Sequence, residues 1–263
     1  VSNSRKKNHN NILLLYDGIS IMNFWFAVFA KCMGYKILTD IVEDYSYINE
    51  KQSFFLNISQ KLNVFFNRFI SFFADGILVI SERLKNKLLQ NGIPQKKICL
   101  IPVSAYNLDR KIKKKKNNKF TFVYAGSFGQ KDGIEYMISA FQMLNKKNLD
   151  CQLFLSGKIN DSTKNLISNK KNIFYKGLIP HKDFYDFLAN ADVLLMTREK
   201  SEYANHGFPF KLGEYLATGN VVITTNVSDI DKYLTDNQNA LIASPSDSRS
   251  LFQKMNFYLK ILI

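Results

Sequence analysis

Residues 205–219 read Asn-His-Gly-Phe-Pro-Phe-Lys-Leu-Gly-Glu-Tyr-Leu-Ala-Thr-Gly, and residues 221–225 follow as Val-Val-Ile-Thr-Thr. Pro209 has the fixed φ that suits a first helical position, and Gly219 suits the left-handed cap beyond a last turn. The spacing therefore predicts a helix over 209–218. Leu212, Tyr215 and Leu216 share its expected apolar face, while Lys211 and Glu214, three residues apart, share another. The β-branched run behind it predicts a strand over 221–225.

The same alternation extends in both directions. Upstream, strand-like runs at 120–124, 152–156, 173–176 and 193–196 are interleaved with helical patterns at 133–144 and 182–189. Downstream, a short helix near 230–235, a strand at 240–243 and a final helix from Ser248 complete the series. A polar, strongly basic and aperiodic stretch at 107–118, which includes a run of four lysines from Lys113 to Lys116, reads as a linker. Before it lies a second series. Strands are expected at 11–16, 35–42, 76–80 and 98–101, with helices at 21–33 (closed by Gly34), 54–73 and 82–91 (capped by Ser81 and ended by Gly92). Alternating β and α units argue for parallel sheets covered by helices on both faces. The expected fold class is thus α/β, with two Rossmann-like domains at 1–106 and 119–263 joined by a basic linker at 107–118. No internal sequence repeat is visible.

The chain has 263 residues, 46% hydrophobic and 22% charged, which suffices for two domains of ordinary size. No run of ~20 apolar residues is free of strongly polar groups, so no membrane-spanning helix is expected. The three cysteines, Cys32, Cys99 and Cys151, are scattered and match neither a disulfide framework nor a metal site, which fits a reducing cytoplasm. The formal charge is +14, but its lysines and arginines are not interleaved with aromatics in any nucleic-acid-binding module. No nucleic-acid partner is expected. Attraction to an anionic membrane surface, with the protein peripheral on the inner face of the cell membrane, is the more natural reading of that charge. The chain opens on Val1 without a signal-peptide pattern, and upstream sequence is expected to be missing.

In open α/β sheets ligands bind outside the carboxyl ends of the strands, so the loops at 125–133, 177–181 and 198–209 are the informative ones. The first reads Ala-Gly-Ser-Phe-Gly-Gln-Lys-Asp-Gly. Its glycines allow a ligand close to backbone amides at a helix start, yet the pattern is neither a dinucleotide fingerprint nor a P-loop, and a plain β–α turn fits it too. In the third loop and the helix behind it, free amides, Lys211 and Glu214 are suited to hold a pyrophosphate and a ribose diol: donors meet phosphate oxygens and the carboxylate accepts hydroxyl protons. A capped helix with an exposed Lys–Glu pair has the same sequence. Residue types alone do not choose between these readings.

Residues 118–247 resemble the C-terminal half of family 4 glycosyltransferases of the GT-B fold. Four stretches occur in the family's order: FVYAGSF…KDGIEYMISAF, FYKGLIPHKDFYDFLANADVLLM, GFPFKLGEYLATGNVVITT and LTDNQNALIASPSD. The earlier ADGILVISERLKNKLLQNGIPQKKICLIP is similar to the end of the family's acceptor domain. The resemblance implies that 1–106 is a partial acceptor-side domain, lacking the family's first glycine-rich loop, and that 119–263 binds the donor. It implies a retaining, metal-independent transfer of a sugar from a UDP- or GDP-sugar to a glycan or lipid-linked hydroxyl, with no cofactor and a role in polysaccharide assembly. Glu214 matches the second glutamate of the family's E-x7-E motif, which binds ribose hydroxyls. Gly207, Phe208 and Pro209 match the loop beside the donor sugar and distal phosphate, and Lys211 matches a lysine of this motif variant. Gly126 and Ser127 match the phosphate-side loop, and Gly177 and Leu178 the loop beside the nucleobase.

The chain also departs from the pattern. His206 stands where the first glutamate belongs, Ser127 replaces a frequent arginine, and Lys131 is displaced by one position from the arginine's partner lysine. His206 is expected either to hydrogen-bond a donor hydroxyl or to serve only as a loop residue. No catalytic base is assigned. Two rivals follow: a nucleotide-sugar epimerase on the same plan, for which no acid–base set is visible, and a non-catalytic or split glycosyltransferase subunit that binds donor or a partner chain.

Overall fold

The computed structural model describes residues 11–18, 20, 23–44, 58, 61–62, 65, 69–105, 117–147 and 149–262. Most of the helix expected at 54–73 and of the linker expected at 107–118 lies outside the described residues. The chain divides into two compact units. One comprises Val1–Pro102 with Asn205–Phe208, and the other Val103–Ala204 with Pro209–Ile263.

The first unit is built on four parallel strands, β1 (Ile12–Tyr16), β2 (Lys36–Ile41), β3 (Gly76–Val79) and β4 (Ile98–Leu100), ordered in sheet space as in sequence. Helices α1 (Phe24–Cys32), α2 (Ile70–Phe73) and α3 (Glu82–Gln90) run between them. Ala27 and Ala30 of α1 and Leu84 and Leu88 of α3 bury small and branched side chains against Ile37, Ile77 and Val79. α3 starts as its sequence predicts: Ser81 is extended and its hydroxyl accepts the Leu84 amide at 3.1 Å, satisfying one of the orphan donors of the first turn.

The second unit holds six parallel strands: β5 (Phe120–Ala125), β6 (Cys151–Ser156), β7 (Ile173–Tyr175), β8 (Val193–Met196), β9 (Val221–Thr225) and β10 (Leu241–Ala243). Their order is β10-β9-β8-β5-β6-β7, the doubly wound arrangement, in which the strand order reverses between β5 and β8. Every residue of β8 is buried, as a central parallel strand with both faces covered requires. The unit's helices are α4 (Ile134–Lys146), α5 (Asp161–Ile167), α6 (His181–Ala189), α8 (Phe210–Ala217), α9 (Ile230–Tyr233) and α10 (Ser248–Leu262), while the short α7 (Glu202–His206) is divided between the two units. α4 presents Met137, Ile138, Phe141 and Leu144, and α10 presents Leu251, Met255 and Leu259 at four-residue spacing, all to one core cluster. Phe141 meets Phe122 of β5 edge-on at 6.1 Å between centroids.

Three details differ from the sequence reading. The helix expected at 209–218 starts one residue later, because Pro209 is extended and forms its cap rather than its first turn. Leu216, expected on the apolar face, is 38% exposed; the buried face is Leu212, Gly213 and Tyr215. Gly213 belongs there because a Cβ would come within 2.9 Å of the Ser104 carbonyl oxygen. Helices α5 and α7 were not expected at all. Both are short and polar, so they lack the periodic apolar stripe on which a reading from sequence depends.

The carboxyl end of β6 is closed by Gly157, whose φ of +137 is open only to glycine and where a Cβ would fall 1.8 Å from the Gly126 carbonyl oxygen. Gly157→Ala is expected to lose at least ~2 kcal/mol of stability in urea unfolding, since both clashing groups are backbone.

Candidate functional site

In sheets of this kind the binding crevice lies at the strand reversal, here the carboxyl ends of β5 and β8, and the loops leaving these strands are tied together there. The Thr197 hydroxyl donates to the Asp132 carbonyl at 2.7 Å, and the Glu199 amide to the Lys131 carbonyl at 3.2 Å. Gly133, left-handed at φ +62, brings the start of α4 within van der Waals reach of the Arg198 backbone. The α8 helix is fastened to the same place by Tyr215, which is fully buried. Its hydroxyl accepts the Ala125 amide at 2.9 Å and donates to the Ala125 carbonyl at 3.0 Å. One phenol thus pairs both backbone groups of the last residue of β5, beyond the point where the pairing with β8 has ended. Burial raises its pKa, with the adjacent Asp132 and Glu214 charges adding to the rise, so it stays a neutral hydroxyl.

Beside this anchor lies a buried polar network. Lys211, from the first turn of α8, donates to Asp132 Oδ1 at 2.7 Å and to the Tyr124 hydroxyl at 3.1 Å, and its ammonium stands 4.6 Å from the Tyr124 ring centroid. The other Asp132 oxygen accepts the Ser127 hydroxyl and the Gly129 amide, each at 3.0 Å. Burial alone would raise the Asp132 carboxyl; the Lys211 charge and these hydrogen bonds outweigh it and hold the group below the usual carboxylate range. Lys211 is pulled down by burial, against the support of Asp132. Gly126 faces this ammonium directly: a Cβ there would come within 2.5 Å of Lys211 Nζ. The pair is therefore largely buried and pressed against bare backbone at the carboxyl end of β5.

Glu214 lies one turn further along α8 and is half-buried. Burial raises its carboxyl, opposed by the nearby Lys211 and His181 charges. On the next loop, Gly177, left-handed at φ +71, has a carbonyl that accepts the Gly157 amide at 3.0 Å and the Ser156 hydroxyl at 2.8 Å. Leu178 beside it is 74% exposed, a large apolar side chain open to solvent next to the crevice. Ser127 is exposed apart from its bond to Asp132, and Lys131 places its ammonium 4.7 Å over the Tyr203 ring.

The structure thus brings Gly126, Ser127, Lys211 and Glu214 to one end of the sheet, with Pro209 capping α8, and sets Gly177 and Leu178 on a neighbouring loop. Lys131 stands over the Tyr203 ring, with its charge still felt at Lys211. His206, Gly207 and Phe208 group with the first unit; there the His206 carbonyl accepts the Ser81 hydroxyl at 2.6 Å and its Nδ1 lies 3.4 Å from Asp44, which also pairs with Lys87. Asp132, Tyr124 and Tyr215 were not singled out from sequence. For Asp132 the available signal was an acidic residue next to Lys131 in a glycine loop; the two tyrosines sit in apolar runs and read as core. No cluster that could hold a metal ion is found among the described residues.

The doubly wound parallel sheet, with its glycine loop and Lys–Glu helix at the strand-order reversal, defines a Rossmann-like α/β protein. The profile of the family described as glycosyl transferases group 1 matches residues 106–261, and the chain belongs to that family. An uncharacterized glycosyltransferase of Methanocaldococcus jannaschii is 25% identical over 232 residues, covering 82% of this chain and 57% of the relative. Among solved structures, sucrose-phosphate synthase of Thermosynechococcus elongatus superposes with a TM-score of 0.69 at 16% identity, over 94% of this chain and 64% of that one. HepE of Anabaena, solved in complex with UDP-glucose, gives 0.71 at 14% identity, over 95% and 69%. The two parallel sheets match the GT-B architecture of these structures. The chain spans 57% of the length of the curated relative.

Two outcomes follow from the geometry. Tyr215→Phe should cost ~1–3 kcal/mol in chemical unfolding, because the buried Ala125 amide and carbonyl lose their partner. Glu214 binds its proton more tightly folded than unfolded. Its contribution to stability is therefore fully present below its ordinary value of 4.5 and is lost as pH rises through the raised folded value. Glu214→Gln should remove that weakly acidic component from a plot of melting temperature against pH.

Proposed function

We propose that this chain is the donor-binding half, with part of the acceptor half, of a retaining glycosyltransferase that moves a sugar from a UDP- or GDP-sugar to a glycan or glycolipid hydroxyl, in polysaccharide assembly and without a metal. The single observation that carries the reading is the placement of Lys211 and Glu214 on one helix at the strand-order reversal, with Gly126 opposite. A diphosphate there would meet the ammonium and the free amides at the start of α8, and the ribose hydroxyls would donate to the Glu214 carboxylate. As the bond from sugar to diphosphate breaks, these fixed positive groups would stabilise the charge that develops on the leaving oxygen. Structural relatives solved with UDP-glucose support the choice of donor class. The positive charge of +14 supports a peripheral position at the inner face of an anionic membrane, close to lipid-linked acceptors.

A second reading has one specific observation in its favour. His206 stands where the resemblance places a glutamate, and its Nδ1 lies beside Asp44. A non-catalytic subunit that keeps donor binding but has lost sugar recognition would look like this.

The test is calorimetric titration of the purified chain with UDP and with GDP, repeated on Glu214→Ala. Binding of one nucleotide, weakened by ~1–3 kcal/mol in the variant, is the expected result. A folded chain that binds neither lacks the proposed donor site. Binding of nucleotide without sugar release from the matching donor, in the presence of glycan acceptors, favours the non-catalytic subunit.

A further inference from the structure

We propose that Asp132 is a positioning residue for donor binding: it holds Lys211 as a charged, aimed cation over the Gly126 backbone, where the diphosphate would lie. This rests on the reading of the crevice as a nucleoside-diphosphate site.

Three observations carry it. The first is enclosure. Asp132 receives Lys211 on one oxygen and the Ser127 hydroxyl and Gly129 amide on the other, and only 2% of it is exposed. It does not reach out to a ligand and serves as a counter-ion to the lysine. The second is direction. Of the three ammonium donors of Lys211, one goes to Asp132 and one to Tyr124, which leaves a third for a phosphate oxygen. The third is placement. The ammonium lies so close to Gly126 that no side chain fits between them, at the carboxyl end of the strand beside the reversal.

The electrostatics around the lysine show why it needs Asp132. Burial and two cations, Arg198 from the loop after β8 and Lys131 from the loop after β5, disfavour its charged form. Asp132 opposes them most strongly. Glu214 lies on the same helix, while Tyr124 and Tyr215 stay neutral under burial. Without the Asp132 charge the lysine would release its proton at lower pH, and an uncharged amine is a poor partner for a diphosphate.

The experiment is titration of the whole chain with UDP and GDP from neutral to alkaline pH, where the nucleotide's phosphates are already ionised, for wild type, Asp132→Asn and Asp132→Asn/Lys211→Arg. Thermal unfolding is recorded at each pH. The wild-type affinity should hold to higher pH than that of Asp132→Asn, which should fall roughly 10- to 100-fold on the alkaline side and recover as pH is lowered. Arginine stays charged at all these values, so the double variant should lose the pH dependence. A merely structural bridge would lower the melting temperature without moving the pH profile of binding; that result overturns the inference and leaves the donor site standing. If wild type binds neither nucleotide, the proposed function falls and the inference with it. Should Asp132→Asn not fold, Lys211→Met and Lys211→Arg decide. The inference requires the first to lose a similar factor and the second to keep it; a Lys211→Met chain that binds as wild type overturns it.

Discussion

The buried pair between Lys211 and Asp132 joins two segments that sequence keeps far apart, the glycine loop after β5 and the first turn of α8. Taking two charges out of water costs several kcal/mol each, and their attraction repays that only when the remaining donors and acceptors are satisfied. Here each carboxylate oxygen has a partner, the ammonium on one and a hydroxyl and an amide on the other. The loop must hold its conformation for those bonds to form, and the helix must sit in register for the lysine to arrive. A pair of this kind fixes geometry more than it adds stability.

Tyr215 supports it from the apolar side. Its ring is packed in the core while its hydroxyl completes the backbone of Ala125, so α8 cannot rotate without breaking both. Gly126, Gly157 and Gly213 are the necessary counterpart. Each lies where a Cβ would run into a lysine, a carbonyl or a neighbouring segment. The missing side chains are what let these segments approach so closely.

Much of this was legible in the sequence, unevenly. The alternation of apolar strands with amphipathic helices sufficed for two parallel sheets, because a buried parallel strand must be apolar on both faces and its covering helix on one. Ser81 as a cap and Gly92 as a stop could be read from local chemistry alone. The short helices α5 and α7 escaped, since neither has a stripe to detect. Leu216 misled because helical spacing places a residue on a face but does not say how wide the buried face is.

The sequence by itself determined the class of fold, the family and the segments that meet at the site, all of which depend on periodicity and order along the chain. Only the tertiary structure decided which charges are partners. Asp132 and Lys211 are separated by dozens of residues, and nothing local distinguishes Lys131, whose ammonium rests over Tyr203, from Lys211, whose ammonium is buried at the crevice. Burial and pairing are properties of position in space, set when β5 and β8 become neighbours and bring their loops together.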